Sequence, residues 1–158
     1  MNLKESRYNK YNLVCEMFDT LDVMSGFDFR RTVGIARVIY DNGKLLLTGE
    51  GSSRIFPAKN FIHQLRTSAT TVNLNVMTEG SYQSLEYDLA DWSVVAASNS
   101  GQTGEAVALF RRLRELNHVR NFVVTANENT KLSELATETL VLTCGVERAV
   151  AATKSVVE

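Results

Sequence analysis

Short, nearly continuous apolar runs recur along the chain, separated by longer segments in which apolar residues return every three or four positions. The runs are KLLLTG at 44–49, TTVNLNV at 70–76, WSVVAAS at 92–98, NFVVTAN at 121–127 and TLVLTC at 139–144. Runs rich in Val and Leu that do not alternate with polar residues are expected of strands buried on both faces of a parallel sheet. The helical pattern is clearest over 103–116, where Ala106, Val107, Phe110, Leu113 and Asn117 share one face while Arg111, Arg112, Arg114 and Glu115 occupy the other. Segments 54–67, 131–137 and 147 to the end also read as helix, as do 9–24 and 28–41 ahead of the first strand. Strand alternating with helix predicts right-handed crossovers and a parallel α/β sheet covered by helices.

Composition narrows the class. The chain has 158 residues, 44% of them hydrophobic, which suits one domain with a real core. Lys plus Arg number 17 against 18 Asp plus Glu, a net charge of −1 with no long run of either sign. That balance argues against a nucleic-acid arm or a polybasic membrane surface. Cys15 and Cys144 lie far apart without CxxC or Cys/His spacing, so both are read as free thiols in a reducing compartment. The opening MNLKESRYNKYN lacks the apolar core of a signal peptide, and no stretch approaches the ~20 apolar residues of a membrane span. The expectation is a soluble, cytoplasmic protein with no nucleic-acid or membrane partner.

In helix-covered parallel sheets, ligands bind beyond the carboxyl ends of the strands, where the strand order reverses. Two loops suit that position: TGEGSSR after the run at 44–48, and SNSGQTGEAV at 98–107. Each sets Gly beside Ser or Thr where a strand hands over to a helix N-terminus, whose open N–H groups and positive dipole end favour an anion. In the second loop Ser98, Ser100 and Thr103 supply hydroxyls, Asn99 or Gln102 an amide, and Gly101 and Gly104 room for a phosphate to approach the backbone. GEGSSR has two glycines of a dinucleotide fingerprint but Arg54 where the third belongs, no GxxxxGK[ST] is present, and neither loop carries the GxSxG of a nucleophile elbow. The plainer alternative is that these residues cap a helix and turn the chain, although one cap residue would suffice for 98–103.

Four stretches together resemble the sugar isomerase (SIS) domain, the phosphosugar-binding domain of glucosamine-fructose-6-phosphate aminotransferase, sugar-phosphate deaminases and related isomerases. SNSGQTGE is similar to its S-x-S-G-x-T stretch, and TGEGSS to its G-x-G-[ST]-S loop. TEGSY at 78–82 stands where the family often has S-E-F-R-Y, with Gly80 and Ser81 departing from it, and CGVERAVAATK at 144–154 resembles its G-x-E-x-x-V-A-[SA]-T-K helix start. The resemblance implies a flavodoxin-like fold, a three-layer α-β-α sandwich around a five-stranded parallel sheet, with residues 44–158 as the SIS domain behind an N-terminal helical extension, 1–43. It implies that Ser98, Asn99, Ser100, Gly101, Gln102 and Thr103 hold the phosphate of a hexose or similar sugar phosphate, and that Gly51, Ser52, Ser53, Val150 and Ala152 meet the sugar. Asn99 replaces a common Gln, and Ala152 a common Ser, which removes one donor. Neutral donors on a helix dipole can hold a phosphomonoester without a cation, so neither a metal nor an organic cofactor is expected.

Catalysis is less legible. Moving a proton between neighbouring sugar carbons needs a carboxylate or histidine base, and the resemblance places that glutamate and a ring-opening histidine in a second SIS half. Because Glu158 falls just inside the helix expected from Glu147, the expectation is a fragment or a lone binding half. Glu50, between two glycines, Glu147, in a helix first turn where an acid is favoured anyway, and Lys154, two turns later, are the catalytic candidates. His63 and His118 are read as structural and Glu79 as an element-boundary acid. Three functions follow: a phosphosugar-binding domain of an isomerase, deaminase or aminotransferase; a non-catalytic phosphosugar-binding or regulatory subunit; or the sensor of a transcriptional regulator, since the family also joins SIS to helix-turn-helix modules. The stretch ahead of the first strand carries no basic patch, so no DNA-binding module is expected. A homodimer, or a partner SIS half, is expected to cover the apolar surface of a lone half.

Overall fold

The computed structural model describes every residue except Met1, Leu3, Ala69, Thr70, Thr71 and Val150. Helices α1 (Asn12–Gly26) and α2 (Val33–Asn42) lead into β1 (Lys44–Gly49), α3 (Gly51–Thr67) and β2 (Asn75–Thr78). Then come β3 (Ser93–Ala97), α4 (Gly104–Glu115), β4 (Asn121–Thr125), α5 (Lys131–Leu135), β5 (Glu138–Val141) and α6 (Lys154–Val157). The strands form one sheet in the order β2-β1-β3-β4-β5, and every neighbouring pair is parallel. The α/β architecture with a five-stranded parallel sheet, expected above, is the one observed.

The sheet face toward α4 and α5 is the closed one. Leu46, Val94, Ala96 and Val123 interlock there with Ala106, Leu109, Phe110, Leu113 and Leu132 in a single apolar core. α4 is held in place by a stripe at helical spacing, Ala106, Val107, Leu109, Phe110 and Leu113, all buried. Asn117, expected on that stripe, instead lies past the helix with φ of 53° and is exposed. It supplies the left-handed residue of a Schellman end, in which His118 N donates to Leu113 O and Asn117 N to Arg114 O.

Several boundaries differ from the sequence reading. The run at 70–76 is displaced to Asn75–Thr78, because the pairing Lys44↔Asn75 through Leu47↔Thr78 makes this edge strand take its limits from β1; Thr70 and Thr71 lie outside the described residues. β5 stops at Val141 because Thr143 and Cys144 give their N–H groups to Glu158 rather than to a ladder. Segment 28–41 splits into a 3-10 turn, Phe29–Thr32, and α2, with Asp28 accepting from Arg30 N at the start. α3 begins at Gly51, so Ser52 and Ser53 stand in its first turn. The helix expected from Glu147 is the largest departure: only Lys154–Val157 is helical.

The strand order reverses between β1 and β3, where a parallel α/β sheet opens a crevice. Their ladder pairs Gly49 with Ala97, so the loops that follow leave the sheet side by side. A Cβ on Gly49 would lie 2.4 Å from Ala97 O. Only glycine lets the two strand ends come this close.

Candidate functional site

Between β3 and α4, residues 98–103 fold into a compact loop. Thr103 is the N-cap of α4, yet its side chain makes no cap hydrogen bond. Its Oγ1 instead lies 2.8 Å from Ser98 Oγ, which also accepts from Gly101 N at 3.2 Å. The first-turn N–H groups of α4 therefore keep no cap, the state in which a helix N-terminus receives an anion. Gly101 has φ of 62°, and a Cβ there would meet the Thr130 side chain at 2.4 Å, while Leu132 N donates to Gly101 O. The loop is thus clamped onto the start of α5. Ser98 and Gly101 are buried, Asn99 and Thr103 half-buried, and Ser100, Gln102, Gly104 and Glu105 exposed. Ser98 shapes the loop; Ser100, Gln102 and the first-turn amides meet solvent.

The first loop is built differently. Glu50 is the N-cap of α3, but its carboxylate accepts from Ser81 N at 2.8 Å rather than capping the helix. Thr48 donates from its hydroxyl to Glu79 O at 2.9 Å and lies 3.1 Å from Ser81 Oγ. The TEGSY segment is a buttress for the end of β1. Gly51 and Ser52 are exposed and Ser53 half-buried.

A cavity of about 620 Å³ lies between the other sheet face, α3 and α6, with Leu47, Val95 and Val124 on its wall beside Ser53, Ser98 and Asn99. Its size suits a small ligand. Arg54, weighed in the sequence only as a missing glycine, lines it too: Nη1 is 3.4 Å from Thr78 Oγ1, and Nε is buried without a partner among the described residues. No spacing signal singles out such an arginine.

The third segment, 143–155, is held by carboxylates. Glu147 Oε1 accepts from Thr153 N at 2.6 Å, Lys154 N at 2.8 Å and Thr153 Oγ1 at 3.1 Å. Its Oε2 accepts from Asn99 Nδ2 at 2.7 Å and Ser155 Oγ at 2.5 Å. This corrects the placing of Glu147 in a helix first turn: it caps α6 from seven residues upstream, and the segment must stay non-helical to reach back. Burial opposes its ionisation, but the bonds from Ser155, Thr153 and Lys154 outweigh that and hold the carboxyl below the ordinary glutamate range. A carboxylate this firmly ionised and occupied is a poor proton acceptor near neutrality.

Glu16, buried on the otherwise exposed α1, accepts from Arg148 N at 2.5 Å and Ala149 N at 3.2 Å. Lys154, read as an exposed residue within reach of ligand, is buried and directs its ammonium toward α1, 3.9 Å from Asp19 Oδ2. Ala152 is half-buried, and Val150 lies outside the described residues. His63 is exposed on α3, while His118 sits at the opposite, amino end of the sheet with Nε2 2.9 Å from Trp92 O. Of the proposed phosphate and sugar contacts, the cavity wall gathers Ser53, Ser98 and Asn99. Glu16, Arg54 and Ser155 escape a reading of the sequence because what links them to the site is long-range.

No family model and no curated protein matches the chain. Solved structures do. The C-terminal domain of glucosamine-fructose-6-phosphate aminotransferase from Francisella tularensis superposes with a TM-score of 0.70 at 16% identity, over 96% of this chain and 45% of that one. A protein from Escherichia coli CFT073, in complex with a sugar phosphate, gives 0.70 at 17% identity, over 99% of this chain and 86% of that one. The fold is that of SIS-type phosphosugar isomerases. The Vibrio vulnificus NanR protein complexed with ManNAc-6P shares it, with a TM-score of 0.66 at 14% identity over 92% of this chain and 54% of that one. At these identities the likeness is one of fold, and the chain spans less than half of the Francisella chain. In this SIS fold the crevice between β1 and β3 is flanked by the N-termini of α3 and α4.

Proposed function

We propose that this chain binds a sugar phosphate, with the phosphate at the N-terminus of α4. Residues 44–158 form the phosphosugar-binding unit behind an N-terminal extension, 1–43, serving a sugar-phosphate isomerase or an amino-sugar-phosphate deaminase or aminotransferase. The observation that carries this is Thr103, an N-cap whose hydroxyl is turned away to Ser98, leaving the first turn of α4 uncapped beside the exposed Ser100. Two proteins of the same fold are complexes with sugar phosphates, ManNAc-6P in the NanR protein and another in the Escherichia coli protein. Charge-assisted bonds of about 1.5–3 kcal/mol each, less the entropy of association, suit micromolar to millimolar affinity.

A binding role without catalysis is the second reading. Glu50, Glu147 and Lys154 are each committed to protein partners, so none of the three stands ready as a base. A chain that binds sugar phosphates but does not isomerise them supports this reading; turnover by the chain alone removes it.

A thermal-shift panel tests the proposal. Hexose and hexosamine 6-phosphates should raise the melting temperature, the corresponding free sugars should not, and Ser100→Ala and Thr103→Val should lose the response. Equal shifts from phosphorylated and plain sugars contradict it. The same reading includes a cytoplasmic location and pairing with a second copy through α1, where Leu13, Met17, Leu21 and Met24 recur at helical spacing and are exposed. A monomer mass in sedimentation at micromolar concentration contradicts the pairing. No helix among the described residues is long and apolar enough to cross a membrane.

A further inference from the structure

Asn99 sits where loop 98–103 meets segment 143–155, and its hydrogen bonds can be counted. Nδ2 donates to Glu147 Oε2 at 2.7 Å and to Ser155 Oγ at 2.8 Å. A primary amide carries two N–H donors, so both are occupied. Ser155 donates its own proton to Glu147 Oε2 and is left an acceptor toward Asn99. The main-chain oxygen of Asn99 is also engaged, by Ala126 N, Thr125 Oγ1 and Asn127 Nδ2. What the residue has left is Oδ1, which has no partner among the described residues, on a half-buried side chain lining the cavity.

Glu147 fixes which way the amide points. With the amide reversed, Oδ1 would face the carboxylate oxygen, two acceptors with no proton between them. Because its hydrogen bonds prevail over burial and keep Glu147 ionised, this constraint persists through neutral pH.

We propose that Asn99 is a specificity-determining residue that accepts a hydrogen bond through Oδ1 from a hydroxyl or protonated amine on the carbon skeleton of the bound sugar, and takes no part in holding the phosphate. This departs from the role expected for Asn99 in the sequence and rests on the phosphosugar reading above. A lone acceptor next to an ionised carboxylate repels a phosphate dianion. It suits a donor on a sugar carbon, with the phosphate left to Ser100, Gln102 and the amides of α4. Glu147 then acts as a positioning residue, aiming the amide without touching the ligand.

Calorimetric titration of the full chain with inorganic phosphate, and with the hexose or hexosamine 6-phosphate that gives the largest thermal shift, tests the assignment. Asn99→Ala should bind inorganic phosphate within about twofold of the native chain while weakening the sugar phosphate about fivefold to tenfold, the worth of one neutral bond. Ser100→Ala should weaken both. Equal losses of both ligands in Asn99→Ala overturn the assignment and leave the phosphate site standing. If the native chain binds neither ligand, the phosphosugar reading falls and the assignment with it. Should Asn99→Ala fold poorly, the side-chain NH2 signals of Asn99 in the native chain decide: they should be protected from exchange and unmoved by inorganic phosphate, and a large shift on adding phosphate overturns the proposal.

Discussion

Loop 98–103 and segment 143–155 meet at Asn99, and they are kept in shape by opposite chemistry. The first is held by neutral groups: the Ser98–Thr103 hydroxyl pair, a glycine pressed against Thr130, and main-chain bonds to β4 and α5. The second is held by three glutamates that collect main-chain N–H groups. Glu16 takes Arg148 and Ala149, Glu147 takes Thr153 and Lys154, and Glu158 takes Thr143 and Cys144. The difference matters for what each can bind. A loop shaped without charge can present its helix dipole to an anion, whereas a segment laced by carboxylates repels one and suits the donor-rich body of a sugar.

Paired glycines give the largest contrast. Gly101→Ala places a methyl group against Thr130 at a φ of 62°, whereas Gly145→Ala, at 69°, meets nothing within 4 Å. The first should cost about 3 kcal/mol, left-handed strain plus overpacking, and lower Tm by roughly 6–12 °C. The second should cost only the strain, about 1 kcal/mol. Equal losses in thermal denaturation would mean that the clamp on Thr130 does not exist.

Glu147→Ala comes next, at about 2 kcal/mol, because it strips the acceptor from Thr153, Lys154, Ser155 and Asn99 at once. Amide exchange should speed up over residues 153–155 and stay unchanged at Gly101 and Leu132. Exchange that rises equally in both loops contradicts separate anchoring.

Acid separates the loops more gently. Burial pushes the Glu147 and Glu158 carboxyls up, but their hydrogen bonds to Ser155, Thr153 and Lys154, and to Thr143 and Cys144, prevail and leave both below the ordinary value of 4.5. Groups lowered by folding contribute stability that is complete above the unfolded value and is lost as pH falls through the folded one. The amides of Thr143, Cys144, Thr153 and Lys154 should therefore lose protection below about pH 4.5, ahead of Gly101. No change in their relative exchange between about pH 7 and about pH 3.5 would contradict the carboxylate anchoring.

The smallest effect concerns the cap that is not one. A capping threonine is worth about 0.5–2 kcal/mol to its helix, but Thr103 bonds Ser98 instead. Thr103→Val and Ser98→Ala should each cost about 1 kcal/mol or less, and their double mutant hardly more than either. Additive losses would return Thr103 to ordinary capping.

The legible part of this molecule is the local part. β1, β3, β4 and α4 are visible in runs such as SVVAA and in the spacing of Ala106, Phe110 and Leu113, because burial on both faces leaves no room for polar residues there. The phosphate loop is visible too, since Gly, Ser and Thr at a strand-to-helix junction have few other uses. Segment 143–155 reads wrongly as helix from Glu147 because its shape depends on partners distant in sequence. Glu16 is 132 positions from Arg148, and nothing in the pattern of α1 marks that carboxylate as buried. Asn99 reads as a phosphate donor because its type allows it; only the positions of Glu147 and Ser155 reveal that its donors are occupied.

The central claim is that the uncapped first turn of α4 holds the phosphate of a sugar phosphate. Backbone amide NMR of the uniformly ¹⁵N-labelled chain, titrated with a hexose 6-phosphate and then with the free hexose, tests it most directly. The account predicts that the phosphate ester moves the amides of Ser100, Gln102, Gly104 and Glu105 most, in a saturable way, and that the free sugar leaves them in place. Shifts scattered away from residues 100–105, or the same shifts from the free sugar, would contradict it.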